Sequence, residues 1–281
     1  CVGTDGKRDP DRIVRVIQEI GPDIIALQEV DTRFGERKGL LNLHSLEHDC
    51  GLVPVTLSKV SAAHGWHGNI VLVRKDMVSA VHEFHLPGLE PRGALLADID
   101  IEGGTALRII AAHFGLLKRS RQQQAEAIIA VMQARKSLPT LLLGDLNEWR
   151  VGARSSLATL NAHFGGHAPV ASFPSRLPFL ALDRIIANRQ GLIDDVRAHD
   201  SPLARKASDH LPIKTRLRLN PATQQTPDAK CPRAQRGAIK TPRLPPMSEN
   251  EVAGVEMLQV EAFQDQFIAT GKLDDHIGAM L

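Results

Sequence analysis

Apolar residues recur three and four apart at Ile13, Val16, Ile17 and Ile20, and Gly21 stops the run. Asp9-Pro10-Asp11 stands in front of them with a cap, a proline for the first helical position and an early acid, so a helix is predicted from Asp9 to Ile20. The unbroken run Ile24 to Leu27 then reads as a buried strand that delivers Gln28-Glu29-Val30 at its end. A second helix is expected around Leu43, Leu46 and Cys50, followed by strands over 52–59, 69–74, 78–84, 94–101 and 105–112, the last two joined by a turn at Glu102-Gly103-Gly104. Ala125, Ile128, Ile129 and Met132 mark one stripe of a long helix over 119–136. Thr140 to Leu143 is a further buried strand, stopped at Gly144, and strands over 183–187, 192–198 and 211–219 end the regular pattern. Helices and strands mixed in this way predict layers of α/β type, helices covering sheets, in one domain that closes near Leu219.

Beyond that point the pattern changes. Residues 221–248 hold six of the seventeen prolines, with scattered Lys and Arg, and read as a disordered linker. Val252, Val255, Leu258, Val260, Phe263 and Phe267 then predict an amphipathic helix over 249–269 within a helical tail that reaches residue 281. Its acidic polar face suits a protein partner better than a membrane.

Composition narrows the class. With 281 residues, 43% apolar and no apolar run near eighteen residues, the chain is read as soluble and globular, without stable membrane insertion. Residues 1–220 carry 28 basic and 24 acidic side chains, and the whole chain only +2, so whole-molecule attraction for nucleic acid is small. Cys1, Cys50 and Cys231 offer neither a disulfide framework nor a zinc ribbon, which points to a reducing, cytoplasmic setting.

Chemistry-bearing residues stand where strands end: Gln28-Glu29, His113, Gly144-Asp145-Leu146-Asn147, Asp183 and Ser208-Asp209-His210. Each has a plain reading of its own, Glu29 as a surface carboxylate, Asp145 with Asn147 as an Asx turn, His113 as a core histidine, Asp209 as a turn cap. Together they leave several carboxylates and two histidines at strand ends, where burial without a cation or a reaction is expensive. Ser208-Asp209-His210 is no catalytic triad, because neighbours in an extended segment face opposite ways, and no nucleophile elbow, P-loop or H-E-x-x-H is present. His64 and His67 lie among glycines, a poor zinc frame. Carboxylates with an Asn suit Mg²⁺ or Mn²⁺, and such a cation suits hydrolysis of a phosphate ester.

The spaced set Leu27-Gln28-Glu29-Val30, Gly68-Asn69, His113-Phe114, Gly144-Asp145-Leu146-Asn147, Leu182-Asp183-Arg184-Ile185 and Ser208-Asp209-His210-Leu211-Pro212 resembles the endonuclease/exonuclease/phosphatase superfamily over about residues 1–219. The resemblance implies two mixed, mostly antiparallel sheets packed as a sandwich with flanking helices. It also implies Glu29 and Asp209 as metal ligands, Asp145 and Asn147 as the pair that orients water and phosphoryl group, His210 as general base oriented by Asp183, and His113 as phosphate contact or proton donor. Asn69 and Arg119 are expected to bind substrate. In one respect the sequence departs from the pattern. The family's opening strand, with its site Asn, has no counterpart before Cys1, which leaves an expected open edge in one sheet. The resulting reading is an Mg²⁺- or Mn²⁺-dependent phosphodiesterase, with a phospholipid or other small phosphodiester favoured over DNA or RNA. The alternatives are a nuclease, and a phosphate- or partner-binding module inactive for want of that strand.

Overall fold

A computed structural model describes residues 2–32, 37–57, 63–75, 77–101, 104–165, 168–218 and 254–261. In chain order the elements are α1 (Pro10–Ile20), β1 (Ile24–Gln28), α2 (Leu43–Cys50), β2 (Leu52–Pro54), β3 (Ile70–Arg74), β4 (Val78–Leu86), β5 (Arg92–Ile101), β6 (Thr105–Ala112), α3 (Lys118–Gln133), β7 (Thr140–Asp145), β8 (Asp183–Ala187), β9 (Arg197–Ala198), α4 (Pro202–Ala207), β10 (Ile213–Arg218) and β11 (Gly254–Glu261). Two sheets result, one ordered β2-β3-β1-β11-β10-β9 and the other β4-β5-β6-β7-β8. All pairs are antiparallel except β1 with β11 and β6 with β7. This is the layered sandwich that the resemblance implied.

The first helix forms as its ends dictate. Asp9 accepts the Arg12 amide at 2.9 Å, Pro10 opens the first turn and Gly21 closes the helix in the left-handed region at φ 62°. Strand β1 is apolar on both faces because both are covered. Ile24 and Ala26 join the core between the sheets, while Ile25 and Leu27 pack with Ile13, Ile17 and Leu46 of α1 and α2. Strands β6 and β7 divide likewise, Ile109, Ala111, Leu141 and Leu143 facing the other sheet and Ile110 and Leu142 facing Ala125 and Ile128 of α3. Each such leucine or isoleucine contributes about 1.5–3 kcal/mol on full burial.

Three expectations are corrected. Residues 254–261 are a strand, not part of a helix, and pair with Ile24–Gln28 on one side and Ile213–Arg218 on the other. Val255, Leu258 and Val260 satisfy helical spacing only loosely, and a central slot offering hydrogen bonds on both sides outweighs that periodicity. The expected open edge of β1 is therefore filled, and the sandwich extends beyond Leu219 to include β11. The expected linker 221–248 and the remainder of the tail lie outside the described residues. Smaller differences concern strand lengths: the strand expected over 52–59 ends at Pro54, and of 192–198 only Arg197–Ala198 forms a strand, with Ile193 making a single bridge to Leu217. The short helix α4 was not foreseen.

Candidate active site

Both sheets present strand ends at one edge of the sandwich. In the six-stranded sheet, Gln28 pairs with Glu261 and Ile213 with Gln259, which brings Glu29 and His210 to the same edge, two strands and about 10 Å of backbone apart. In the other sheet, Arg92, Ala112, Asp145 and Asp183 end or begin their strands side by side, with Asp145 directly opposite Asp183. Such tight apposition requires Gly144, whose φ of 146° is closed to most side chains and where a Cβ would stand 1.7 Å from the Ala112 carbonyl oxygen.

His210 is buried, and its Nδ1 donates to Asp183 Oδ2 at 2.8 Å, which leaves Nε2 as the basic nitrogen of the ring. Asp183 is fixed in turn by the Ser172 hydroxyl, and the ring of Phe173 lies 4.8 Å from that of His210. Burial pushes the Asp209 carboxyl up from its ordinary range, against the opposing pull of His210.

On the other sheet, Arg92 donates to His113 Nδ1 at 2.9 Å. A guanidinium has no acceptor, so His113 Nδ1 holds the lone pair and Nε2 carries the hydrogen, 3.5 Å from Asp145 Oδ2. Glu90 holds Arg92 at 2.9 Å from the opposite side. Asp145 Oδ1 accepts the Asn147 amide at 2.8 Å, and the Asn147 side chain donates to the Phe114 carbonyl at 2.9 Å, so the loop after β7 is latched to the loop after β6.

Glu29, Asp31, Arg37, His67, Arg92 and His113 line one cleft that spans the two sheets. Glu29 and Asn147 both sit at φ of 50–55°, a conformation that costs a non-glycine residue about 1 kcal/mol or more and that concentrates at functional sites. Arg37 grips Asp31 with two bonds at 2.8 and 3.1 Å. His67 donates Nδ1–H to the Pro91 carbonyl at 2.9 Å, and burial holds its pKa below the ordinary histidine range.

Of the residues expected from sequence, Glu29 and His113 share the cleft, His113 meets Asp145, and Asp183 meets His210. Asn69 is buried, its amide nitrogen donating to the Trp66 and Gly93 carbonyls, which ties the start of β3 to the start of β5. Arg119 is exposed on the first turn of α3 and is not among the residues lining the cleft. Sequence reasoning missed Arg37, Arg92 and Ser172. It also missed a buried brace in which Arg121 donates to the Leu116 carbonyl at 2.5 Å and Ser156 at 2.9 Å and lies 3.4 Å from Glu148. Burial pushes Glu148 upward, but bonds from the Ser156 hydroxyl and the amides of Ser156 and Arg150 outweigh it and leave its pKa below the usual range.

Among the described residues no group of three or more His, Cys, Asp or Glu side chains is gathered to hold a metal ion. A hard cation does not need one, since Mg²⁺ is commonly held by one or two carboxylates with waters and substrate oxygens completing its sphere. Glu29 and Asp209 are the two carboxylates that the resemblance offers for this, and the Asn69 side-chain oxygen is a buried acceptor without a hydrogen-bond partner. This oxygen-rich set fits a hard divalent ion.

The endonuclease/exonuclease/phosphatase family model matches residues 3–210, and the chain belongs to that family of phosphoesterases, whose members generally use divalent metals. No curated protein matches the sequence. Among solved structures, the chain is similar to an endonuclease/exonuclease/phosphatase from Beutenbergia cavernae, at 21% identity and TM-score 0.57 over 75% of this chain and 67% of that one. It is similar also to a mannosyl-6-phosphatase from Bacteroides thetaiotaomicron, at 18% identity and TM-score 0.57 over 75% and 90%. The human Nocturnin catalytic domain with bound sulfate matches at 19% identity and TM-score 0.51 over 72% and 82%. At these identities the structures establish the fold.

Proposed function

We propose that the chain is a Mg²⁺- or Mn²⁺-dependent phosphodiesterase that uses water as nucleophile. The observation that carries this reading is the buried pair His210–Asp183, which holds the imidazole in one tautomer with Nε2 as its basic nitrogen. In this mechanism Nε2 of His210 accepts the proton of the attacking water while the Asp183 carboxylate stabilises the imidazolium that forms. Asn147 and Asp145 orient the water and the phosphoryl group, and the Nε2 hydrogen of His113 bonds a phosphoryl oxygen. Glu29 and Asp209 would hold the metal, which supplies charge neutralisation at the phosphoryl and leaving oxygens when bound. Against a merely binding module stands the cost of burying an aspartate–histidine pair that binding alone does not require.

The test is turnover of bis(4-nitrophenyl) phosphate. His210→Ala is expected to lower it about 10²-fold with metal binding nearly unchanged, Asp183→Asn to lower the same parameter strongly, and the double variant to lose less than the product. Full turnover by His210→Ala, or in excess chelator, would contradict the reading.

A further inference from the structure

Among the described residues the large apolar side chains most exposed to solvent are six: Leu89, Leu116, Leu117, Val151, Leu177 and Phe179. All six lie on loops at the edge of the five-stranded sheet that carries His113, Asp145 and Asp183. Leu89 is in the β4–β5 connection, Leu116 and Leu117 are between β6 and α3, Val151 follows β7, and Leu177 and Phe179 precede β8. The loops are braced against one another. The Leu116 amide donates to Glu90 at 2.7 Å, Arg121 links the Leu116 carbonyl to Glu148, and Arg184 donates to the Glu148 carbonyl at 2.7 Å. The exposure therefore belongs to a fixed rim, with Leu89 at 84% and Leu177 at 73%. Solvent-facing leucines gathered at one site need a reason.

Charge on the rim is as one-sided as its hydrophobicity. The same loops and the start of α3 carry Lys118, Arg119, Arg154 and Arg176, whereas their carboxylates are engaged, Glu90 by Arg92 and Glu148 by Arg121 and by Arg150 at 3.8 Å. The whole chain has a net charge of only +2, so positive charge is concentrated here. Aliphatic side chains beside basic ones suit the boundary between anionic headgroups and acyl chains. Single-stranded nucleic acid is held instead mainly by aromatic stacking platforms, and five of these six side chains are aliphatic.

We propose that this rim seats the chain on an anionic phospholipid surface, so that the phosphoester it hydrolyses is a headgroup presented at that surface. The substrate part of this inference rests on the phosphodiesterase reading; the docking part does not. The test is flotation of the full chain with phosphatidylcholine vesicles, with and without phosphatidylserine, in the presence of chelator so that catalysis plays no part. Binding is expected to vesicles containing phosphatidylserine and to weaken in about 0.5 M salt. The Leu89→Ser, Leu177→Ser, Phe179→Ser triple variant should bind at least about 10-fold more weakly with an unchanged melting temperature, since these side chains are exposed. Triple-variant binding at the wild-type level would overturn the proposal, as would tighter binding of a single-stranded oligonucleotide than of the vesicles. Turnover of bis(4-nitrophenyl) phosphate separates the two readings: vesicle binding without turnover supports the docking surface and sinks the catalytic assignment, while turnover without vesicle binding does the reverse.

Discussion

A guanidinium that donates to an imidazole nitrogen decides which ring nitrogen carries the hydrogen, and Arg92 makes that decision for His113. Arg92→Met removes the donor. Ring carbon shifts of His113 are then expected to show a mixture of tautomers where the wild type shows one, and turnover should fall about 10-fold. An unaltered tautomer would mean that Asp145 alone sets the ring. A second arginine acts on stability. Arg12 is buried, and its bonds to Asp5 at 3.0 and 3.1 Å hold that carboxyl down to about 2. A carboxyl held below its ordinary value stabilises the fold above that value and loses the effect as pH falls from about 4 to about 2. Asp5→Asn should accordingly melt lower than wild type at pH 6, and the difference should shrink steadily as pH falls from about 4 to about 2. At this scale the sequence was legible where a polar residue interrupts an apolar run, as at Glu29, His113 and Asp145. It was silent on Arg92, Ser172 and Arg37, whose roles come from partners that only the folded chain brings near.

The elements were legible in proportion to how much of their character is local. Helix α1 carries its own caps, and the long runs of β5, β6 and β7 follow from burial on both faces. Strand β11 carries no such mark, since its identity is conferred by the two strands that receive it. Leu258 pairs with Ile25 on one side and Lys214 on the other. Leu258→Pro removes an amide from the centre of this sheet, and a fall of roughly 5–10 °C in melting temperature is expected. Melting at the wild-type temperature would show that the sandwich does not depend on β11. The outer strands of the six-stranded sheet, β2 and β9, fell short of their expected lengths for the related reason that an apolar run marks burial, whereas only pairing makes a strand.

For the whole molecule, the near balance of charge argued against a polyanionic partner, yet an average over 281 residues hides the basic and apolar rim gathered at one edge. No helix among the described residues is long and apolar enough to cross a membrane. That finding is compatible with a surface that only touches one.

The division of the proposed reacting groups between two sheets would make turnover a gauge of alignment within the sandwich. Glu29, Asp209 and His210 belong to one sheet, while His113, Asp145 and Asp183 belong to the other, and the buried bond between His210 and Asp183 crosses from one to the other. Shear of a few tenths of an ångström between the sheets leaves every strand intact but spoils that bond, because catalytic geometry tolerates far less displacement than a hydrophobic contact does. On slow warming, hydrolysis should therefore fail at a lower temperature than the far-ultraviolet circular dichroism does. Coincident midpoints would mean that the sheets hold their alignment until the chain unfolds as a whole.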